Sequence, residues 1–559
     1  MTGSKNSENK GFWFYFYNIV FKYGIWIFAA VVVLLNLSLI FDYVVWGDEA
    51  FSINTVRDVG FDGIYQRVLY WDNHPILYYI WIKIWSWLLC SRSFEWYTEN
   101  RVWVYHLASV VPFIGGVTML LCGFRKKLGN LPAFFFVTFT GLSAVCAEYN
   151  QEIRMYSLVF FFILWAALES YRIITSEDVR ISAWTGMTIA AVLAAYTHYY
   201  GAVTGGLLIF VTSLFYYIKH KKLTFLYGVG SVIGYFILYW PWLNVLRHQS
   251  SGVVTTWWME SPDRFDEALK FIFGGKHMFP VLGLFAVAAS LFLLLFKMEK
   301  GKLVIRFKAE DKKLGGDITS LIVCWITLAL VFCFAYGVSY LVRPLFTCRY
   351  SYPAVPLVVM IVMLCIKGLI SMAAKAVEEE TLNELNEGLD EHDKAKKLSA
   401  YGNEINVVKT TFGKVMLGIV LAIGVIILCI SLFDFRYYRS VCKTENLFTR
   451  QTLETIGIPN EGAIMCATDV QHLAWTVLSF YYPNNEVLDD TAVNIAREAD
   501  ELSQFSNGEV TRANEIWYFT GREIEDAETE YMESLGYTEE AYPGMWVGKY
   551  GCNIYHYWR

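Results

Sequence analysis

The sequence predicts an all-α polytopic membrane protein of about eleven transmembrane helices, followed by a C-terminal α/β domain outside the membrane. Three observations carry this. Of 559 residues, 55% are hydrophobic and only 18% charged, where a soluble domain would carry about 25% charge. Apolar runs of roughly 17–22 residues, long enough to cross a bilayer core, recur along the chain. The last stretch, after residue 433, changes character: it is polar and acidic, and short strand-like runs alternate with helical ones. The net charge of −6 and the lack of a basic stripe exclude a nucleic-acid partner. The eleven cysteines contain no CxxC pair, which argues against a zinc site or a disulfide framework. Cys442, Cys466 and Cys552 in the polar C-terminal part are the ones an oxidising compartment could pair.

In chain order, residues 1–22 are polar, then aromatic and basic. They lack a short apolar core with a small-residue cleavage site, so no cleaved signal peptide is expected. The apolar segments follow at 23–45, 102–121, 131–147, 155–172, 182–200, 201–218, 224–245, 279–296, 317–341, 353–373 and 414–433. A short run at 75–90 carries Lys83 and begins at Pro75. With the N-terminus inside and 75–90 lying on the surface, the basic clusters Arg125-Lys126-Lys127, Lys219–Lys222 and Lys297–Arg306 all fall on the cytoplasmic side, with the charged segment 375–413. The segment 75–90 is therefore expected to be a juxtamembrane helix, its tryptophans at headgroup level. The expected division is a cytoplasmic 1–22, a membrane catalytic domain 23–433 and an outer domain 434–559. In that last domain strands are expected at Ala463–Ala467 and Ile516–Phe519, helices at His472–Tyr481 and Ala527–Leu535, and a hairpin at Tyr542–Trp558.

The same parity puts five polar motifs on the outer face. Trp46-Gly47-Asp48-Glu49 follows the first span and leads to Asp72-Asn73-His74-Pro75. Carboxylates so near a bilayer are costly without water or a partner. They are either interfacial charges ending a span or a base for an acceptor hydroxyl. In Glu148–Tyr156, helical spacing would put Glu148 with Glu152 and Asn150 with Arg154 on shared faces. Arg154 then either pairs with a glutamate or holds a phosphate. His198, between two apolar runs, is either a satisfied interfacial histidine or a donor to phosphate. Arg343 and Arg349, beside Tyr350, are cations on the side where topology calls for none, which points to an anionic ligand. Trp257 and Trp258 lie in the longest outer loop of the membrane part and could stack on sugar or lipid. Carboxylates and arginines together at a membrane surface suit transfer of a group from an anionic lipid to a hydroxyl or amine. A carboxylate would serve as base, and an arginine or a divalent metal ion would hold the leaving phosphate.

The order of these motifs resembles the GT-C membrane glycosyltransferases, specifically family 39 and its bacterial relatives, which include protein O-mannosyltransferases and lipid A aminoarabinose transferases. The residues carrying the resemblance are Asp48-Glu49, His74-Pro75, Arg101, Gln151–Tyr156, Tyr196-Thr197-His198 and Arg349-Tyr350, over roughly residues 20–370. It implies a polyprenyl-phosphate sugar donor and inverting transfer to an extracytoplasmic acceptor, with Asp48 as base. Asp48, Glu49 and Glu152 are thus the candidate catalytic residues. His74, Arg154, Tyr156, His198, Arg343, Arg349, Tyr350, Trp257 and Trp258 are the candidate substrate-binding ones. Two departures from the family stand out: a single proline after His74, and a C-terminal domain that does not read as a β-trefoil. Two other classes fit the composition. A lipid-linked-sugar flippase requires ionisable groups deep in its spans and inverted repeats, and neither is evident. A non-catalytic scaffold whose outer domain binds a partner has no need of Asp48.

Overall fold

The computed structural model describes residues 12–57, 59–89, 102–220, 226–256, 260–299, 302–308, 314–385, 411–468, 470, 473–488 and 513–559. Arg101, Trp257 and Trp258 lie outside the described residues, as do residues 386–410 of the charged segment.

Every predicted apolar segment contains a helix. Among the described residues seven helices are long and apolar enough to cross a membrane: Trp103–Leu128, Tyr156–Thr175, Tyr199–Lys219, Leu226–Ser251, Gly316–Leu341, Cys348–Ala374 and the apolar part of Thr411–Ile456. Asn130–Leu142 and Ala144–Gln151, bent by 62°, make an eighth when taken as one span. Tyr23–Leu39, Ile181–Thr197 and Phe279–Leu295 are shorter apolar helices. The chain is an integral membrane protein by these helices. The helix Leu77–Leu89 has 13 residues and is therefore about 20 Å long, too short for a bilayer core of about 30 Å. Trp81 and Trp85 do not serve as headgroup anchors: their indole N–H groups donate to Ala108 O (2.9 Å) and Val104 O (3.0 Å) of the next helix.

A buried polar staple fixes the first span against the bent pair. The Asn36 amide donates to Val32 O (3.0 Å) and Gly141 O (2.8 Å), and the Asn150 amide donates to Thr140 O (2.9 Å). The Gln151 amide donates to Asn36 O (3.1 Å). A Cβ at Gly141 would stand 2.2 Å from Val32 Cγ1, so glycine permits this approach. Ser143 has extended backbone and caps the second helix of the pair through Cys146 N–H (3.4 Å), which explains the bend. That helix stops at Gln151. Glu152 is extended (φ −60, ψ 127), and Arg154 N–H donates to Glu152 O at 2.7 Å, a tight turn. Glu152 N–H still donates to Glu148 O (3.0 Å), so that expected pair is kept, but the expected Asn150–Arg154 face is not formed and Arg154 swings away.

The C-terminal domain is joined to the last apolar stretch without a break in the helix. Thr411–Ile456 is one helix of 46 residues, about 69 Å long at 1.5 Å per residue. It runs past residue 434 and ends at Gly457, whose φ of +65 suits a helix terminus. Beyond it lies a five-stranded sheet built from β3 (Ile464–Thr468), β4 (Glu486–Leu488), β5 (Glu515–Thr520), β6 (Thr538–Val547) and β7 (Tyr550–Trp558). The order is β4-β3-β5-β7-β6, with β4, β3 and β5 parallel and β5, β7 and β6 antiparallel. β3, β5, the 473–481 helical turn and the helix Asp526–Ser534 match the expected elements. The hairpin begins four residues earlier, at Thr538, and β4 is an addition. A second addition is the hairpin β1 (Phe296–Glu299) and β2 (Lys302–Ile305) within a basic cluster. Cys442, Cys466 and Cys552 are buried free thiols.

Candidate active site

The helix Gly47–Arg57 places two adjacent carboxylates about 100° apart. Glu49 turns inward and is 0% exposed. Its two oxygens accept the N–H of Trp46 (3.1 Å) and of Ile153 (2.7 Å), the second across 104 residues of chain. Burial pushes its carboxyl up, opposed by Lys549 and by these two N–H donors. With both oxygens engaged by backbone, Glu49 ties the first loop to the 151–154 turn. We therefore remove it from the candidate catalytic groups.

Asp48 turns toward Arg349. Its Oδ2 lies 2.9 Å from Arg349 Nη1, and the two side chains are 23% and 27% exposed. Arg349 sits in the short helical turn Cys348–Ala354, held by Cys348 N–H donating to Asp263 Oδ2 at 2.6 Å. Its guanidinium lies 5.9 Å from the Trp46 ring and 5.7 Å from the Tyr350 ring.

Arg154 is 3% exposed and joins three elements. Its Nη1 donates to Ser52 Oγ (3.1 Å), Asp48 O (3.3 Å) and Tyr79 Oη (3.3 Å), and its Nη2 lies 3.2 Å from His74 Nδ1. His74 Nδ1 is 2.9 Å from Asp72 Oδ1, and Tyr79 O–H donates to Asp72 Oδ2. Burial of Asp72 favours its neutral form, but His74, Arg154 and Tyr79 outweigh that and hold its carboxyl below the usual range. Enclosed in this way, Arg154 organises the site instead of facing a phosphate. Tyr156 is likewise sealed, its ring 4.7 Å from Tyr149 and 5.8 Å from His198, and packs in an aromatic cluster instead of lining a substrate space.

Glu152 is 4% exposed, and its Oε2 is buried without a protein partner. Burial, then the charge of Glu148, pushes its carboxyl up to about 7. His198 Nδ1 accepts Tyr200 N–H (3.1 Å), so the neutral ring carries its proton on Nε2, which is buried and unpartnered. The His198 ring lies 5.5 Å from both His74 and Tyr350. These three rings form one wall of a mostly apolar cavity of about 370 Å³, completed by Tyr200, Val338 and Arg343 among others. The cavity and the Asp48–Arg349 pair meet at Tyr350 and His74.

The structure thus gathers Asp48, Arg349, Glu152, His74, His198, Tyr350 and Arg343 around one end of the helical bundle. Sequence reasoning did not find Ser52, Tyr79 or Lys549, and it gave Asp72 no role. The Asp-x-His spacing of Asp72 and His74 was the available signal. Among the described residues no group of three or more His, Cys, Asp or Glu is arranged to hold one. The oxygens of Glu49 are taken by backbone N–H groups, and one of Asp48 by Arg349.

Helices enclosing a charged site at one end, with a sheet domain at the C-terminus, give this membrane protein the fold of two solved structures. The structure is similar to that of ArnT from Cupriavidus metallidurans in the apo state, with TM-score 0.55 and 12% identity over 95% of this chain and 97% of that one. It is also similar to ArnT from the same organism bound to undecaprenyl phosphate, with TM-score 0.51, 14% identity and the same coverage. No protein-family model and no curated protein matches the sequence.

Proposed function

We propose that this chain is a membrane glycosyltransferase that moves a sugar from a polyprenyl-phosphate donor to a hydroxyl of an extracytoplasmic acceptor, with inversion. The observation that carries the reading is the junction of an ion-paired, partly exposed Asp48 with an apolar cavity edged by Arg343, His74 and His198. The cavity suits a prenyl chain, and its polar edge suits the phosphate. The undecaprenyl phosphate bound to the structurally similar ArnT supports that occupant. A transporter would need no solvent-reached carboxylate at this junction.

In the proposed reaction the acceptor oxygen attacks the anomeric carbon while Asp48 takes its proton. The bond from that carbon to the phosphate oxygen breaks, and the polyprenyl phosphate leaves with the electron pair. Arg349 is paired with Asp48. On donor binding it turns to the phosphate, which frees Asp48 to act and places a planar cation on the leaving group. His198 Nε2–H and Arg343 supply further donors from the cavity side. Arg154, Ser52, Tyr79 and the Asp72–His74 pair hold the backbone of Asp48 in place. The proposed topology keeps this site and the C-terminal domain extracytoplasmic, because the basic clusters 125–127 and 219–222 then lie inside. Release of polyprenyl phosphate from lipid-linked sugars by the purified protein in nanodiscs tests the reading. No release from any polyprenyl-phosphate sugar, in the presence of cell-envelope acceptors, rules it out.

A further inference from the structure

Across the site from the cavity, the C-terminal domain reaches into the membrane domain. The turn between β6 and β7, Gly548-Lys549, is pressed against the segment just before Asp48. Gly548 has φ +62, and a Cβ there would stand 2.3 Å from Val45 O. Only glycine combines that backbone with that approach. Thr449 Oγ1 donates to Gly548 O (3.1 Å), and Gly47 N–H donates to Tyr550 Oη (3.1 Å). Arg439 Nε pairs with Asp42 Oδ2 at 3.0 Å. Residues 42–47 are therefore clamped from the C-terminal part of the chain at both ends.

At the centre of the clamp Lys549 Nζ donates to Tyr43 Oη at 2.8 Å. Ionisable groups within its electrostatic reach are Tyr43 and Glu49 of the first loop, His106 of the second span, Glu148 and Glu152 of the bent pair and its turn, Cys442 and Glu445 of the long helix, and Tyr550 beside it, and Glu152 also faces Arg349 and Asp48. Four of these are carboxylates, and they converge where Glu152 Oε2 lies buried without a partner. Uncompensated, such a set resists ionisation.

We propose that Lys549 is the resident cation of the acid cluster flanking Asp48, a positioning residue that does there what a divalent metal ion would otherwise do. It acts through Glu49, which fixes the helix carrying Asp48, and through Glu152. The C-terminal domain is thus part of the catalytic frame. This rests on the glycosyltransferase reading for its catalytic consequence, but not for its charge balance.

The test compares wild type, Lys549→Met and Lys549→Arg in nanodiscs. Burial pushes the carboxyls of Glu49 and Glu152 up, so removing the cation should hurt most at the pH where they ionise. The melting temperature of Lys549→Met should fall further below wild type at pH 8 than at pH 6, by at least about 2 °C. Lys549→Arg should stay near wild type at both. Adding Glu148→Gln to Lys549→Met should recover the loss at pH 8, which keeps the test decisive even if the single variant folds poorly. In turnover, the acid limb of kcat/KM should move up by about one pH unit in Lys549→Met and return in Lys549→Arg. A chelator should leave wild-type turnover unchanged. An equal melting loss at both pH values, or no recovery by Glu148→Gln, overturns the proposal, and so does loss of turnover on chelation. If no transfer is seen at all, the glycosyltransferase reading fails and the melting measurements still decide the role of Lys549.

Discussion

Asp48 and Glu49 are neighbours in the chain but face different regions of the molecule. On the Glu49 side the protein is closed: both carboxylate oxygens accept backbone N–H groups, and no water reaches them. On the Asp48 side it is open: one oxygen meets an arginine that is itself partly exposed, next to an apolar cavity. The same chemical group serves as a structural tie in one place and as a proposed base in the other. What separates them is the 100° between successive helical residues and what each direction meets. A carboxylate fixed by N–H groups can neither move nor exchange its partners. One paired with a partly exposed arginine can do both.

Substitutions can break or sharpen this contrast. The largest effect is expected from Asp48→Asn, which keeps the shape and removes the base. Turnover should fall by roughly 10²–10⁴ with melting temperature and donor binding nearly unchanged. Glu49→Gln should do the reverse. Its amide offers one acceptor where two N–H groups need one each, a loss of about 1–3 kcal/mol of stability with turnover per folded molecule largely kept. Equal turnover losses in the two variants would erase the distinction.

Next comes Arg154→Met, which leaves Asp72 buried without the charge of Arg154. A cost of about 3–5 kcal/mol is expected, read as a lower melting temperature. A normal melting temperature with weakened donor binding would return Arg154 to the phosphate. Arg349→Lys keeps the charge and loses the planar fork. Roughly tenfold slower transfer is expected, with Asp48 still in place. Unchanged donor affinity and turnover in Arg349→Ala would remove Arg349 from the donor site.

The smallest effect concerns pH. Glu152 titrates near 7 in the folded protein, above its ordinary carboxyl range near 4.5. A raised carboxyl stabilises the fold fully below the unfolded value, and that contribution is lost as pH rises through about 7. Thermal melts between pH 4.5 and 8 should therefore fall more steeply in wild type than in Glu152→Gln. Parallel curves would show that Glu152 is paired.

Much of this was legible in the sequence because single residues carried it. Spans are long apolar runs, so each of the eleven segments contains a helix. Asp48 stood out as a carboxylate against the bilayer and Arg349 as a cation where topology calls for none, and they meet at 2.9 Å. What was not legible depends on contacts between distant parts. The turn at Glu152–Arg154 exists because Ile153 N–H finds Glu49, and spacing along one helix cannot show that. Lys549 and Tyr43 are 506 residues apart. The change of composition at 434 is not a break in the backbone, because the long helix turns polar as it leaves its apolar stretch and runs on against the C-terminal sheet. Tyr156 sits in the matching motif, yet its burial among aromatic rings was invisible there.

The central claim is that Asp48 accepts a proton while the acceptor displaces the phosphate in one step. The anomeric configuration of the first transfer product, read by NMR against that of the polyprenyl-phosphate donor, tests this most directly. A single displacement inverts the anomeric carbon, so the product should carry the opposite configuration from the donor. Retention would mean that a carboxylate first bonds to the sugar, and it would contradict Asp48 as a base.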